Sequence, residues 1–155
     1  TLCLDHNCRL RVNEQVNRRL APPGHLIYDE GMENKDGANQ PQEMRLWVGI
    51  VLVAVGRDKE LKNGLRFQVV ELAQDELTLR GVNDHGTLSE IPIVVTATRA
   101  SQCLRLTHAI CYFSTQARTI CGPLRLSQTN HCYFSIRHLI VGCGRAPEGS
   151  VVEVE

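Results

Sequence analysis

Residues 91 to 147 hold six arginines (Arg99, Arg105, Arg118, Arg125, Arg137 and Arg145), three histidines, and no aspartate or glutamate. Only Lys35, Lys59 and Lys62 of the 17 cations in the chain are lysine. A guanidinium presents a planar fork of donors that matches phosphate oxygens two at a time, so an acid-free, arginine-only stretch suggests phosphate recognition. The other reading is that the stretch is mostly buried, where acids are rare in any case. Burial accounts for the missing acids but not for six arginines, which favours an anion-facing surface. On that reading Arg118, Arg125 and Arg137 are candidates for nucleic-acid backbone contacts, with salt-dependent affinity. Tyr112 and Phe113 are adjacent and can either stack on bases or form half of a core. His131 and His138 read as structural. They do not pair with cysteines at zinc-finger spacing, and we expect no metal site.

Several chemistries are absent from the sequence. It has no G-x-x-x-x-G-K-[ST] phosphate loop and no Gly-Lys dipeptide, and neither G-x-S-x-G nor H-E-x-x-H occurs. A hydrolase carrying its own complete site is therefore not expected. The seven cysteines are odd in number and irregularly spaced, without a C-x-x-C. They read as reduced, mostly buried thiols in an intracellular compartment.

At 155 residues and 43% apolar content, the chain is the size of one domain, or of one domain with a small insertion. Its formal charge is zero, yet residues 29 to 90 carry twelve acids against seven bases. The longest apolar run, Trp47 to Val55, is about half the roughly 20 residues a membrane helix needs, so no membrane partner is expected. The chain begins at Thr1 without a charged-then-apolar leader, and we read it as a fragment or a processed chain.

These residues need a scaffold. Leu2 to Leu4 reads as the end of a buried strand, and Asp5 or Asn7 can cap a following helix. In that helix Leu10, Val12, Val16 and Leu20 form an apolar face, while Arg9, Asn13 and Asn17 recur every four residues on another. Ala21-Pro22-Pro23-Gly24 ends it, and polar, aperiodic Tyr28 to Gln42 reads as a mobile linker. From Arg45 to Val95 the period becomes that of strands, with a hairpin signal at Asn63-Gly64 and turns near Gln74-Asp75 and Asn83 to Gly86. Four or five short strands in that stretch suggest a small antiparallel barrel. Beyond Thr96 we expect a strand over Leu106 to Phe113, a polar loop over Ser114 to Gly122 and a strand over Pro123 to Leu126. A helix within Phe134 to Arg145 and a closing strand over Val151 to Val154 complete the pattern. The whole is an α/β domain interrupted by a β insertion.

Four stretches in order resemble the C-terminal part of a superfamily 1 DNA helicase of the RecD-like branch. Asp5-His6-Asn7-Cys8-Arg9-Leu10-Arg11-Val12-Asn13 resembles motif IV. Leu46-Trp47-Val48-Gly49 with Leu61-Lys62-Asn63-Gly64 resembles the opening of that family's inserted barrel. Leu106 to Thr119 resembles motif V, and Arg137 to Ala146 resembles motif VI. Four residues depart from the usual motifs: Cys111 stands for Thr, Phe113 for His, Ala117 for Gly, and Gly144 for Ser or Thr.

The resemblance implies an incomplete RecA-like second helicase domain of α/β, P-loop NTPase type. Residues 1–41 would be its first segment plus linker, 42–95 an inserted SH3-like β-barrel, and 96–155 its second segment. Both flanks must then belong to one sheet for motifs IV, V and VI to share a face. It also implies that ATP and Mg²⁺ are bound in a parent enzyme, mainly by an absent N-terminal RecA-like domain, and that single-stranded DNA is the track. By the same resemblance Arg145 is the arginine finger; Arg9, Gln116 and Gly142 are nucleotide-binding; Thr119, with Arg118, Arg125, Tyr112 and Phe113, is DNA-binding. The isolated chain is expected to be inactive. Two further readings stay open: a nucleic-acid-binding module without hydrolysis, and an inactive helicase remnant.

Overall fold

The computed structural model describes residues 1–28, 42–55, 58–115, 119–120, 122–147 and 151–155. The chain divides into two compact units, Thr1–Asn13 with His108–Glu155, and Glu14–Thr107.

The first unit is built on a four-stranded parallel sheet. Its strands are β1 (Leu2–Cys3), β9 (Ile110–Cys111), β10 (Leu124–Leu126) and β11 (Val152–Val154), in the order β11-β10-β1-β9. Leu2 sits in register with both Ile110 and Leu126, so the first strand lies between two strands from the last third of the chain. Successive strand residues face opposite sides of a sheet. Leu2 accordingly joins Tyr112, Leu124 and Leu126 in one core, against Phe134 and Leu139. Cys3 joins Cys8 and Ala109 in another, against Val12. Helix α1 (His6–Leu20) therefore covers one face and α3 (Ile136–Cys143) the other.

Asp5 starts α1 by accepting the Cys8 N–H at 2.7 Å through Oδ1. The buried stripe of α1 is not the apolar one expected from the sequence. Arg9, Asn13 and Asn17 are buried, whereas Leu20 is 54% exposed. Each asparagine satisfies one residue of strand-like backbone at both its groups. Asn13 bonds the C=O and N–H of Ala109 at 3.0 and 2.7 Å, and Asn17 does the same to Arg45 at 2.9 and 2.8 Å. Buried backbone groups must find partners, and here two amide side chains supply them.

The second unit is an antiparallel sheet in the order β7-β6-β5-β4-β8. It comprises β4 (Val51–Ala54), β5 (Arg66–Leu72), β6 (Glu76–Val82), β7 (Leu88–Thr96) and β8 (Leu104–Leu106), with α2 (Ala97–Cys103) before β8. A short pair, β2 (Leu26–Tyr28) and β3 (Met44–Leu46), accompanies it. Its core includes Leu46, Leu52, Leu61, Phe67, Leu77, Leu79 and Leu106. Gly64 turns the β4–β5 connection at φ 86°, a conformation for which glycine pays no steric penalty. Two elements differ from the expectation. The sheet continues past Val95 through α2 to β8. The expected strand from Leu106 to Phe113 is divided, Leu106 closing the antiparallel sheet and Ile110–Cys111 entering the parallel one. Most of the expected linker lies outside the described residues.

No helix among the described residues is long and apolar enough to cross a membrane.

Candidate nucleic-acid interface

The residues that follow the parallel strands gather at the carboxyl edge of the sheet, where open α/β sheets bind ligands. Asp5 follows β1, Tyr112 follows β9, and Ser127 and Gln128 follow β10. Gln128 takes a left-handed conformation at φ 62° and ties two strand ends together. Its Oε1 accepts the Leu4 N–H at 2.9 Å, and its Nε2 donates to Asp5 Oδ2 at 2.7 Å. That bond, with the Cys8 N–H, holds the Asp5 carboxyl below its ordinary range.

Beside this edge, the 3-10 turn Tyr112–Thr115 meets the first turn of α3. Tyr112, Phe113, Ser135, Arg137, His138, Ile140 and Val141 line a cavity of about 570 Å³. His138 is its centre. Its ring contacts Tyr112 and Phe113 edge to face, each at 5.5 Å, and stacks on Phe134 at 5.7 Å and 28°. Its Nδ1 accepts the Ser135 N–H at 3.1 Å and lies 2.9 Å from the Ser135 hydroxyl. Phe113 is 68% exposed and Arg137 is exposed, so the cavity has an aromatic wall and a cationic rim. The sequence reads His138 only as structural, without its capping role. The signal was Ser135-x-x-His138, a histidine form of the S-x-x-[EQ] capping pattern.

The other assigned residues are scattered. Tyr112, assigned to base stacking, is 1% exposed, and its hydroxyl donates to the Ser127 carbonyl at 3.2 Å. Its place is in the core. Gly142, assigned to nucleotide, is buried between α3 and β10. Thr119 is exposed. Gln116 and Arg118 lie outside the described residues.

Two of the described arginines between residues 91 and 147 are met by acids from elsewhere in the chain. Arg99 bonds Asp58 twice, at 3.0 and 2.7 Å, and Glu60 at 2.8 Å. Arg125 pairs with Glu155 at 3.1 Å. Arg105 is fully buried and donates to the carbonyls of Ser101 and Leu104. Arg9 is 8% exposed, with no partner for its Nε, on the α1 face. Arg145 is half-buried just past α3, where its Nε donates to the Val141 carbonyl at 3.3 Å and its own carbonyl accepts the Ile120 N–H. Arg9 is on α1, which packs on one face of the sheet, and Arg145 follows α3, which packs on the other.

Cys3, Cys8 and Cys111 are buried and free, whereas Cys132 and Cys143 are exposed. Burial and the neighbouring Cys8 push the Cys3 thiol up to about 12, leaving it a poor nucleophile. No cluster of three metal-ligating side chains occurs among the described residues.

No protein-family model matches the chain, and none of the curated proteins does. Solved structures do match. Pif1 helicase from Bacteroides in complex with ADP-AlF3 and ssDNA aligns over 99% of this chain and 39% of its own, at 17% identity and a TM-score of 0.62. Bacteroides Pif1 bound to ssDNA gives 18% identity and 0.58 over the same shares. A structure of two coordinating Pif1 helicases at forked dsDNA gives 19% and 0.57, over 96% and 37%. The chain has the α/β fold of part of these helicase chains and spans about two fifths of their length.

Proposed function

We propose that this chain is the second RecA-like domain of a superfamily 1 DNA helicase of the RecD-like branch, with residues 42–95 inserted as a small β-rich subdomain. The observation that carries the reading is the parallel sheet. Its central strand comes from before the β-rich stretch and its neighbours from after it. The likeness to part of Pif1, solved with ADP-AlF3 and ssDNA, supports the same reading, as do the four motifs in order. The parent protein would unwind DNA at the cost of ATP, inside the cell.

The residues present suit a supporting part in nucleotide chemistry. Asp5 is committed to Gln128 and Cys8, and no described cluster suits Mg²⁺. In this reading the N-terminal RecA-like domain of the same parent brings the phosphate loop and the metal ligands. Arg145 is the arginine finger, which stabilises charge developing on the transferred phosphoryl group, an effect of about 10³–10⁵ in rate where it is measured. Arg9, with an unpartnered buried Nε, is the weaker nucleotide candidate. Single-stranded DNA runs along the Phe113 and Arg137 cavity, and Thr119 and Arg118 are the further motif V candidates for its contacts. The test is ATP turnover by the parent protein, which Arg145→Ala should abolish while DNA binding persists. Turnover by the isolated chain that survives repurification and is lost with Arg145→Ala would overturn the reading.

The second reading is a nucleic-acid-binding module without hydrolysis, favoured by the exposed Phe113 and Arg137, or an inactive helicase remnant, favoured by the departures at Phe113, Ala117 and Gly144. Full DNA binding by a parent that never turns over ATP would select it.

A further inference from the structure

We propose that His138 is a positioning residue that works only while uncharged: through Nδ1 it holds the first turn of α3 against Tyr112–Thr115, and so keeps the cavity beside Phe113 in the shape that receives a nucleobase. The nucleobase rests on the reading that single-stranded DNA is the ligand; the holding of the turn does not.

The argument begins with a hydrogen that has one choice. A backbone N–H can only donate, and that of Ser135 donates to His138 Nδ1 at 3.1 Å. Nδ1 must then offer a lone pair, so the single ring hydrogen of the neutral imidazole is on Nε2. The Ser135 hydroxyl lies 2.9 Å from the same nitrogen. The ring fixed in this way is packed on Tyr112, Phe113 and Phe134, and sets where the exposed Phe113 stands. A second proton would cover that lone pair, so the Ser135 N–H would lose its acceptor and Nδ1 would donate to the Ser135 hydroxyl oxygen instead. It would also place a cation at the start of a helix, where the backbone dipole opposes it. Both effects release the cap.

The titratable and charged groups packed about the ring are Tyr112 from the 3-10 turn and Arg137 from α3 itself. Tyr112 stays neutral throughout, since burial raises its hydroxyl above the ordinary range. Arg137 stays charged. Phe113, Phe134 and Ser135 complete the packing without charge. His131, in the loop before α3 and against the Tyr133 ring, is a second histidine of the same unit. The consequence has an unusual sign. A histidine that simply faced phosphate would strengthen DNA binding as it gained charge. Here acid should weaken binding.

The experiment is fluorescence anisotropy of a labelled single-stranded oligothymidylate with the full chain, at constant ionic strength, from about pH 8 to 5. Wild-type affinity should fall about five- to tenfold on acidification, the equivalent of losing one helix cap. His138→Gln keeps an acceptor suited to the third helical position but loses the ring, so its affinity, whatever its level, should not change with pH. His138→Leu should bind weakly at every pH, and His131→Gln should leave the wild-type profile unchanged. A wild-type affinity that rises in acid, or a His138→Gln profile that matches wild type, overturns the proposal. A second arm needs no DNA. Nitrogen-15 spectra of the His138 ring should place its hydrogen on Nε2 at pH 8, with protection of the Ser135 amide lost in acid; a hydrogen on Nδ1 overturns the positioning role. If no oligonucleotide binds at any pH while this arm succeeds, the helicase reading and the nucleobase fail, and the positioning role stands.

Discussion

Gly142 and Leu126 meet with no room for a methyl group between them. A Cβ at position 142 would lie 2.6 Å from Leu126 Cδ2 and 3.3 Å from Tyr112 Cε1. Leu126 is fully buried, so its side chain has little space to turn away. Gly142→Val should destabilise the chain by about 3 kcal/mol through overpacking. Urea unfolding would show this as a lower midpoint, and an unchanged midpoint would mean that α3 lifts from β10 at little cost. Combining the change with Leu126→Ala should recover part of the loss, because the two sites share one space.

Arg99 grips Asp58 with two bonds and holds its carboxyl well below the usual carboxylate range. Asp58 also accepts the N–H groups of Glu60 and Leu61, so it closes the turn before β5. A depressed folded-state value means that stability is present above the ordinary aspartate value, about 3.9, and is lost as pH falls below it. Asp58→Asn should cost about 1 kcal/mol at neutral pH, allowing for solvent screening of a partly exposed pair. The gap to wild type should narrow in acid. A gap that stays constant across the acid range would assign the effect to the turn alone.

The isolated chain should bind nucleotide poorly and not turn it over, since it has no phosphate loop. Within the parent protein, Arg145→Ala should lower kcat by about 10³ or more and leave single-stranded DNA affinity nearly unchanged. Equal loss of both would show that Arg145 holds the fold rather than the phosphoryl group.

Salt dependence separates the arginines. Arg137→Ala should flatten the log–log slope of single-stranded DNA binding by about 0.7, the value of one phosphate contact. Arg125→Ala and Arg99→Ala should change it far less, because Glu155 and Asp58 already neutralise those side chains. Phe113→Ala should cost about 1–3 kcal/mol of affinity without altering the slope. Equal effects at Arg125 and Arg137 would contradict the pairing seen here.

The strand and helix rhythm of the chain was legible because it is local. The β-rich centre, the Asn63-Gly64 turn and the helix after position 135 follow from period and turn chemistry. The faces were not. Arg9, Asn13 and Asn17 look like a solvated stripe until the backbone of Ala109 and Arg45 comes to meet the two asparagines. α2 was missed because seven residues with little apolar period give no signal beyond the Thr96 cap. The arginine cluster misled for the same reason: Arg99 finds its acids 41 and 39 positions away, and Arg125 finds Glu155. In the candidate site, Phe113 was legible by type, whereas its fixing by His138 depends on a cap read only weakly from Ser-x-x-His.

The two-residue strand Leu2–Cys3 at the centre of the parallel sheet has a kinetic consequence. It has neighbours on both sides only when residues near position 2 meet residues near 110 and 126. Closing so long a loop in an open chain is entropically slow. β4, β5 and β6 form a local antiparallel meander that needs no such encounter. In a refolding experiment the meander should gain amide protection first, and Leu2 and Cys3 should be among the last residues to do so. Until then, the edges of β9 and β10 that await β1 are open to any passing strand, and that interval is when the chain is most prone to aggregate.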